Sequence, residues 1–321
     1  MDVKQPLAIA LVAIILLGWV NTTLYADGAG TVGASFLRTK AGPRASAMGG
    51  AYTALADGGY GMYWNPAGMS RLRSSTFSAT HQEQLFEVKN ELMSVAIPMG
   101  SAHTMGISTR FLYTQYQFRT ERQDKSTFTN YNASLAGNYA YGHRTGLAWG
   151  IGVKAIQEKL ANIRANSFAV DGGIHYQSPR TPLKLAAVVQ NVGPEIKFIE
   201  EGDPLPRTFR AGWAYDFYLW ERRLTFSNDV IYFQPEDITT SSLGLEFKPY
   251  PFIALRSGYE TNEGFEEDGN FSAGLGVRYR GFLLDYSFTQ EQTLSDRHRF
   301  SLSVHFGNRR DIPQGIETYN P

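Results

Sequence analysis

Arg299-Phe300-Ser301-Leu302-Ser303-Val304-His305-Phe306 is the stretch whose reading decides the fold. Phe300, Leu302, Val304 and Phe306 share one face; Arg299, Ser301, Ser303 and His305 share the other. Side chains that alternate between apolar and polar at every second position mark a strand with one face away from water. The pattern continues upstream. Phe282, Leu284, Tyr286 and Phe288 oppose Leu283, Asp285 and Ser287, and Phe271, Ala273, Leu275, Val277 and Tyr279 oppose Ser272, Gly274, Gly276 and Arg278. Phe209 to Phe217, Phe168 to Tyr176 and Leu147 to Val153 alternate in the same way.

The periodicity gives about 14 segments, at roughly 72–82, 91–98, 103–117, 128–142, 145–157, 165–177, 181–191, 207–217, 221–232, 238–248, 252–260, 269–279, 281–290 and 297–306. An even number of antiparallel strands of this length suits a barrel that crosses a membrane. A soluble β-sandwich or propeller competes with it. Here, however, one face carries bulky aliphatic and aromatic residues while the other carries small residues and isolated charges. Strand-end aromatics such as Tyr215, Phe217, Tyr232 and Phe306 suit the interfacial girdles of a membrane barrel. No repeat of propeller-blade length stands out.

Composition agrees. The 321 residues include 20 Phe, 18 Tyr and 32 Gly, and they suit many strands. Lys and Arg number 30, and so do Asp and Glu, so no basic excess points to nucleic acid. Cysteine is absent, which excludes disulfides, Cys-ligated zinc and thiol catalysis. The first 26 residues read as a cleaved export signal: a short polar start with Lys4, an apolar run from Pro6 to Val20, then a polar stretch ending in Ala26. The run is shorter than the roughly 20 residues a spanning helix needs. The mature chain is therefore expected in the bacterial outer membrane, with its lipid bilayer as the first partner.

One stretch does not alternate: Gly42 to Met69. Ala45, Ala47, Gly49, Gly50, Ala51, Ala54 and Ala56 leave its backbone free for close packing. Arg44 to Ala56 can form a short helix, which Gly49 and Gly50 weaken by about 1 kcal/mol each relative to Ala. Asp57-Gly58-Gly59 would end it. Trp64-Asn65-Pro66-Ala67-Gly68 reads as a tight turn in which Pro66 keeps Asn65 out of the α region and Gly68 permits a positive φ. The division expected is a signal at 1–26, a plug at 27–71, a barrel at 72–306 and a periplasmic tail at 307–321. Phe118 to Phe128, Val192 to Arg207 and Thr261 to Asn270 are the long, extracellular connections; Tyr250-Pro251 and Arg280-Gly281 are short periplasmic turns.

Gly33-Ala34-Ser35-Phe36-Leu37 followed by Gly42 to Met69 resembles the N-terminal signature of the PorV/PorQ family, part of the wider FadL-like group of plugged barrels. Asn191-Val192-Gly193, Glu201 to Pro206 and Arg297 to Gly307 resemble it too. The family usually has two acidic residues where this chain has Asp57-Gly58. The resemblance implies a non-enzymatic outer-membrane component of type IX protein secretion that binds secreted cargo proteins or subunits of the secretion complex. The alternative, implied by the FadL-like group, is a channel for long-chain fatty acids or other hydrophobic compounds. In either case the plug motif is Arg44, Gly49, Gly50, Asp57, Trp64, Asn65, Pro66 and Gly68.

Other chemistry is weakly signalled. Gly28-Ala29-Gly30-Thr31-Val32-Gly33 has dinucleotide-loop spacing but no strand before it. Ser301, Ser303 and His305 share a face, yet no motif supplies an orienting acid or oxyanion hole. The six histidines lack close metal-ligand spacing, so no catalytic residue, metal or cofactor is expected. The inward charges Lys154, Asp171, Arg210, Asp216, Glu246, Arg256, Arg278 and Asp285 have two readings: ion pairs that hold the plug, or the lining of a polar path.

Overall fold

The computed structural model describes residues 32–83, 88–119, 125–143, 145–261, 269–290 and 296–308. The expected leader, residues 27–31 of the expected plug and the tail beyond Asn308 lie outside the described residues. So do the centres of the connections expected at Phe118 to Phe128 and Thr261 to Asn270.

Alternating residues pair side by side. The strands are β1 (Ser75–Glu83), β2 (Lys89–Met99), β3 (His103–Arg119), β4 (Lys125–Gly142), β5 (Leu147–Leu160), β6 (Ile163–Gln177) and β7 (Leu183–Val192). A two-residue ladder follows, β8 (Ile196–Lys197) with β9 (Gly202–Asp203). Then come β10 (Arg207–Leu219), β11 (Arg222–Gln234), β12 (Ile238–Tyr250), β13 (Ile253–Glu260), β14 (Asn270–Tyr279), β15 (Phe282–Thr289) and β16 (Arg297–Phe306). Apart from the β8–β9 ladder, each strand pairs antiparallel with its sequence neighbour, and β1 closes on β16 with Ser75 opposite Phe306. The result is a closed barrel of 14 strands, which leaves no sheet edge unpaired. Each of the 14 alternating segments becomes one strand.

The longest connections gather on one rim. Turns at 100–102, 220–221, 251–252 and 280–281 share a rim with both ends of the barrel chain, Ser75 and Phe306. Trp220 and Glu221 both adopt positive φ, 48° and 61°. That conformation matches the twist of a two-residue hairpin, so β10 and β11 stay in register. The connections between β7 and β10, β13 and β14, and β15 and β16 lie on the other rim, together with the short turns at 161–162 and 235–237.

The barrel is inside-out relative to a water-soluble protein. Ile107, Phe168 and Phe300 are 61%, 57% and 56% exposed on its outer wall. Ser78, Gln82, Asn90, Ser94 and Ser287 are buried on its inner wall. A sandwich or propeller would place these sets the other way round. Apolar outer walls on a closed sheet are stable where the solvent is hydrocarbon.

Residues 32–72 pack against the inner wall. The 3-10 helix Pro66–Arg71 touches β3 to β6, whereas the helix Pro43–Ala47 touches β13 to β16, across the barrel. Ala47, Met48, Ala51, Ala56 and Ala67 are fully buried there. The expected helix over Arg44 to Ala56 is much shorter. It stops at Ala47 because Gly49 and Gly50 take φ values of 67° and 99°. A Cβ on Gly49 would stand 2.7 Å from the Tyr259 carbonyl, and one on Gly258 would meet the backbone of Met48 and Gly49. Backbone contact with β13 wins over helix propensity.

Candidate functional site

The inner segment is held by side chains that satisfy its backbone. Asn65 is fully buried and extended at φ −155°. Its Oδ1 accepts from Ala67 N at 3.0 Å and so caps the 3-10 helix, while its Nδ2 donates to the Ile174 carbonyl of β6 at 3.0 Å. Pro66 opens that helix, where a missing N–H costs nothing. Gly68 does not use the positive φ that glycine permits. Its position needs glycine because a Cβ would collide with the Ala56 carbonyl. Trp64 donates to the Ala41 carbonyl at 2.8 Å and meets the Tyr52 ring edge-on at 5.9 Å. The Arg210 guanidinium covers its face at 4.8 Å.

Several anchoring residues carry no sequence motif. Asp229 of β11 accepts from Tyr52 N at 3.0 Å and from Thr53 N at 2.8 Å. Glu158 of β5 accepts from Ala34 N at 3.1 Å, Arg110 of β3 donates to the Phe36 carbonyl at 2.6 Å, and Gln190 of β7 donates to the Tyr63 carbonyl at 2.9 Å. All four lie on the inner face of their strands, so strand parity was the one signal that could have found them.

The inward charges form three groups. Lys154 pairs with Asp171 at 2.7 Å and also donates to Asn191 at 2.7 Å, all within the wall. Asp216 takes Lys184 at 2.7 Å and accepts from Thr225 at 2.6 Å. Glu246, Arg256 and Asp285 form a chain, with Arg256 at 2.7 Å from Glu246 and 2.6 Å from Asp285. Arg44 ties the inner segment to that chain: its Nε and Nη2 donate to the two Glu246 oxygens at 2.8 and 3.1 Å, and its Nη1 donates to Asp57 at 2.5 Å. Burial would raise the Asp57 carboxyl, but Arg44 and then Arg71 outweigh it and bring it down to about 2. The Asp57 side chain is 41% exposed, so water weakens this pairing. Arg210 bonds Gln190 at 3.2 Å rather than a carboxylate. Arg278 is exposed at the short-turn rim, away from the paired groups.

The β6–β7 pairing is irregular. Its register shifts between Val170 and Gly172, Asn191 takes φ 61°, and Asn191 N donates to Asp171 at 2.8 Å. Beside this seam the outer wall holds an apolar pocket of about 630 Å³. Gly172, Ile174, Ala187, Val189 and Phe209 line it from the outer face, and Gly173, Val188 and Arg210 belong to the inner one. Small residues thin the wall here, and Arg210 separates the pocket from Trp64. A second apolar groove, about 570 Å³, crosses β2 to β5.

Residues 25–167 match the model of UPF0164, described as an uncharacterised protein family. Similar solved structures include the Ralstonia pickettii toluene transporter TbuX, at 13% identity and a TM-score of 0.58 over 83% of this chain and 98% of that one. The CymD monoaromatic hydrocarbon channel aligns at 12% identity and 0.63, again over 83% and 98%. The Pseudomonas putida toluene transporter TodX aligns at 12% and 0.57, over 88% and 98%. The chain shares this FadL-like fold. At such identity the likeness is one of architecture. No curated protein matches the sequence.

Proposed function

We propose that this protein is an outer-membrane channel for small hydrophobic compounds, with residues 27–71 as a plug that controls a lateral route through the wall. The pocket at the β6–β7 seam carries the reading. Its volume of about 630 Å³ is that of a small-ligand site, and its lining is almost wholly apolar. It reaches inner-face residues that touch the plug: Gly173 lies against the Asn65 amide, and Arg210 lies on Trp64. An apolar solute gains about 25 cal/mol for each Å² it keeps out of water, so a path from wall to bilayer suits it better than release into water. The resemblance in sequence ranks secretion first. A plug signature is compatible with either pathway. The wall pocket and the hydrocarbon-channel neighbours support transport, and no named residue separately favours cargo binding.

In this reading the long connections face outward and the short-turn rim faces the periplasm. Gly172→Leu tests the route. A Cβ there has only Val189 Cγ1 near it, at 3.9 Å, so the larger side chain fills the pocket without striking the plug. The measurement is uptake of radiolabelled toluene by whole cells whose lipopolysaccharide leaflet resists apolar solutes. Expression of the native chain raises uptake, and Gly172→Leu returns it toward that of cells without the protein. Native-rate uptake in the variant removes the route; no gain with the native chain removes the channel.

A further inference from the structure

The short-turn mouth of the barrel holds more positive charge than its carboxylates neutralise. Arg223 of β11 and Lys248 of β12 stand directly opposite each other in the ladder. Like charges so placed repel and destabilise a sheet. Their nearest carboxylate is the same one, Glu246, whose Oε1 lies 3.8 Å from Arg223 and 3.2 Å from Lys248. Glu246 is already occupied by Arg44 and Arg256. Arg44 also takes Asp57, and Arg256 takes Asp285. Five cations, counting Arg71, therefore face three carboxylates. The neighbouring Lys184–Asp216 pair adds one charge of each sign, so the excess of cations stands.

Arg71 is a separate observation. It ends the 3-10 helix of the inner segment and has no carboxylate within ion-pair distance among the described residues. Its close polar partner is His175 Nε2, at 3.3 Å, and the same nitrogen lies 3.0 Å from the Ala54 carbonyl. That nitrogen either donates to the carbonyl or accepts from the guanidinium; it cannot do both. Donation to Ala54 leaves Arg71 with no hydrogen-bond acceptor among the described residues. Burial lowers the Arg71 pKa; Asp57 and Asp216, within electrostatic reach, oppose that, and Arg223 and Arg44 add to it. The Arg223 and Lys248 side chains keep 27% and 25% of their surface exposed, so the cluster is open to a solute.

We propose that Arg71, Arg223 and Lys248 form a binding site for an oxyanion, a carboxylate or a phosphate group, at the short-turn mouth of the barrel. A bound oxyanion supplies the missing negative charge, separates Arg223 from Lys248 electrostatically and gives Arg71 an acceptor. The forked guanidiniums suit two-oxygen recognition. The site goes beyond the channel reading and does not depend on which compound crosses the wall.

The test is calorimetric titration of the full chain in phosphatidylcholine nanodiscs with inorganic phosphate, with hexanoate and with hexan-1-ol. Saturable binding of phosphate or hexanoate is expected, weakening as salt rises, with hexan-1-ol giving no such signal. Phosphate alone identifies a free anion; hexanoate alone identifies an acidic head on an apolar tail. The double variant Arg223→Gln/Lys248→Gln should lose about tenfold or more in affinity, as for lost hydrogen bonds to charged groups. Because it also removes a like-charge pair, its thermal midpoint should equal or exceed the native one. Absence of binding by both oxyanions, equal binding of hexanoate and hexan-1-ol, or native affinity in the double variant overturns the site. Toluene uptake by the same variant stays native, so failure of this site leaves the channel reading standing, and failure of uptake leaves the binding result readable.

Discussion

At the residue scale, a single amide does the work of a cap and a cross-link. Asn65 satisfies Ala67 N on its own segment and the Ile174 carbonyl on the wall. Asn65→Ala removes both partners from groups with little access to water, and an unsatisfied buried polar group costs about 1–3 kcal/mol. The expected outcome is earlier proteolysis within the inner segment while the barrel still migrates as a folded species on unheated gels. Asn65→Asp separates the two roles, since a carboxylate still caps the helix but cannot donate to Ile174. Its protease sensitivity should lie between native and Asn65→Ala. If all three are cut at the same rate, Asn65 holds nothing in place.

At the element scale, the strands were legible and the inner segment was not. Every strand follows from alternation, because a residue that faces hydrocarbon and one that faces the lumen differ in chemistry at each step along Phe300 to Phe306. The inner segment has no such two-sided solvent. Its conformation answers to contacts distant in sequence: Gly49 against Tyr259, Gly68 against the Ala56 carbonyl, and Tyr52 and Thr53 N–H on Asp229. Composition revealed that Ala45 to Ala56 would pack closely, but not that the helix would stop after Ala47. Asp229 and Glu158 were missed for the same reason, as an acid at an inward position looks alike whether it anchors a backbone or faces water. Gly258→Ala tests the docking without disturbing the strand. Alanine suits β13 better than glycine by intrinsic preference, yet its Cβ would meet the backbone of Met48 and Gly49. The variant should keep the barrel but expose 42–60 to protease. A gain in protection there would mean that strand propensity, not backbone approach, sets this contact.

At the scale of the whole molecule, the determining fact is which way the barrel faces. Leu135 is 55% exposed in the middle of β4, on the same wall as Ile107 and Ile151. On a water-facing surface an exposed leucine can become arginine at little cost, usually within about 0.5 kcal/mol. In hydrocarbon the charge must be desolvated or must drag water and headgroups inward, and an arginine on the lipid face of a barrel costs about 2–4 kcal/mol at the bilayer midplane, falling toward the interfaces. The outer wall therefore predicts opposite results for Leu135→Arg in the two environments. Denaturant unfolding from phospholipid vesicles should show a loss of that size for Leu135→Arg and a small change for Leu135→Ala, which keeps the face apolar. The same contrast at Tyr250, exposed beside the short-turn rim, should shrink, since a long cation there reaches the headgroups. Equal, negligible losses at Leu135 and Tyr250 would place both in water, and with them the apolar pocket at the β6–β7 seam, removing the bilayer into which a hydrophobic solute would pass.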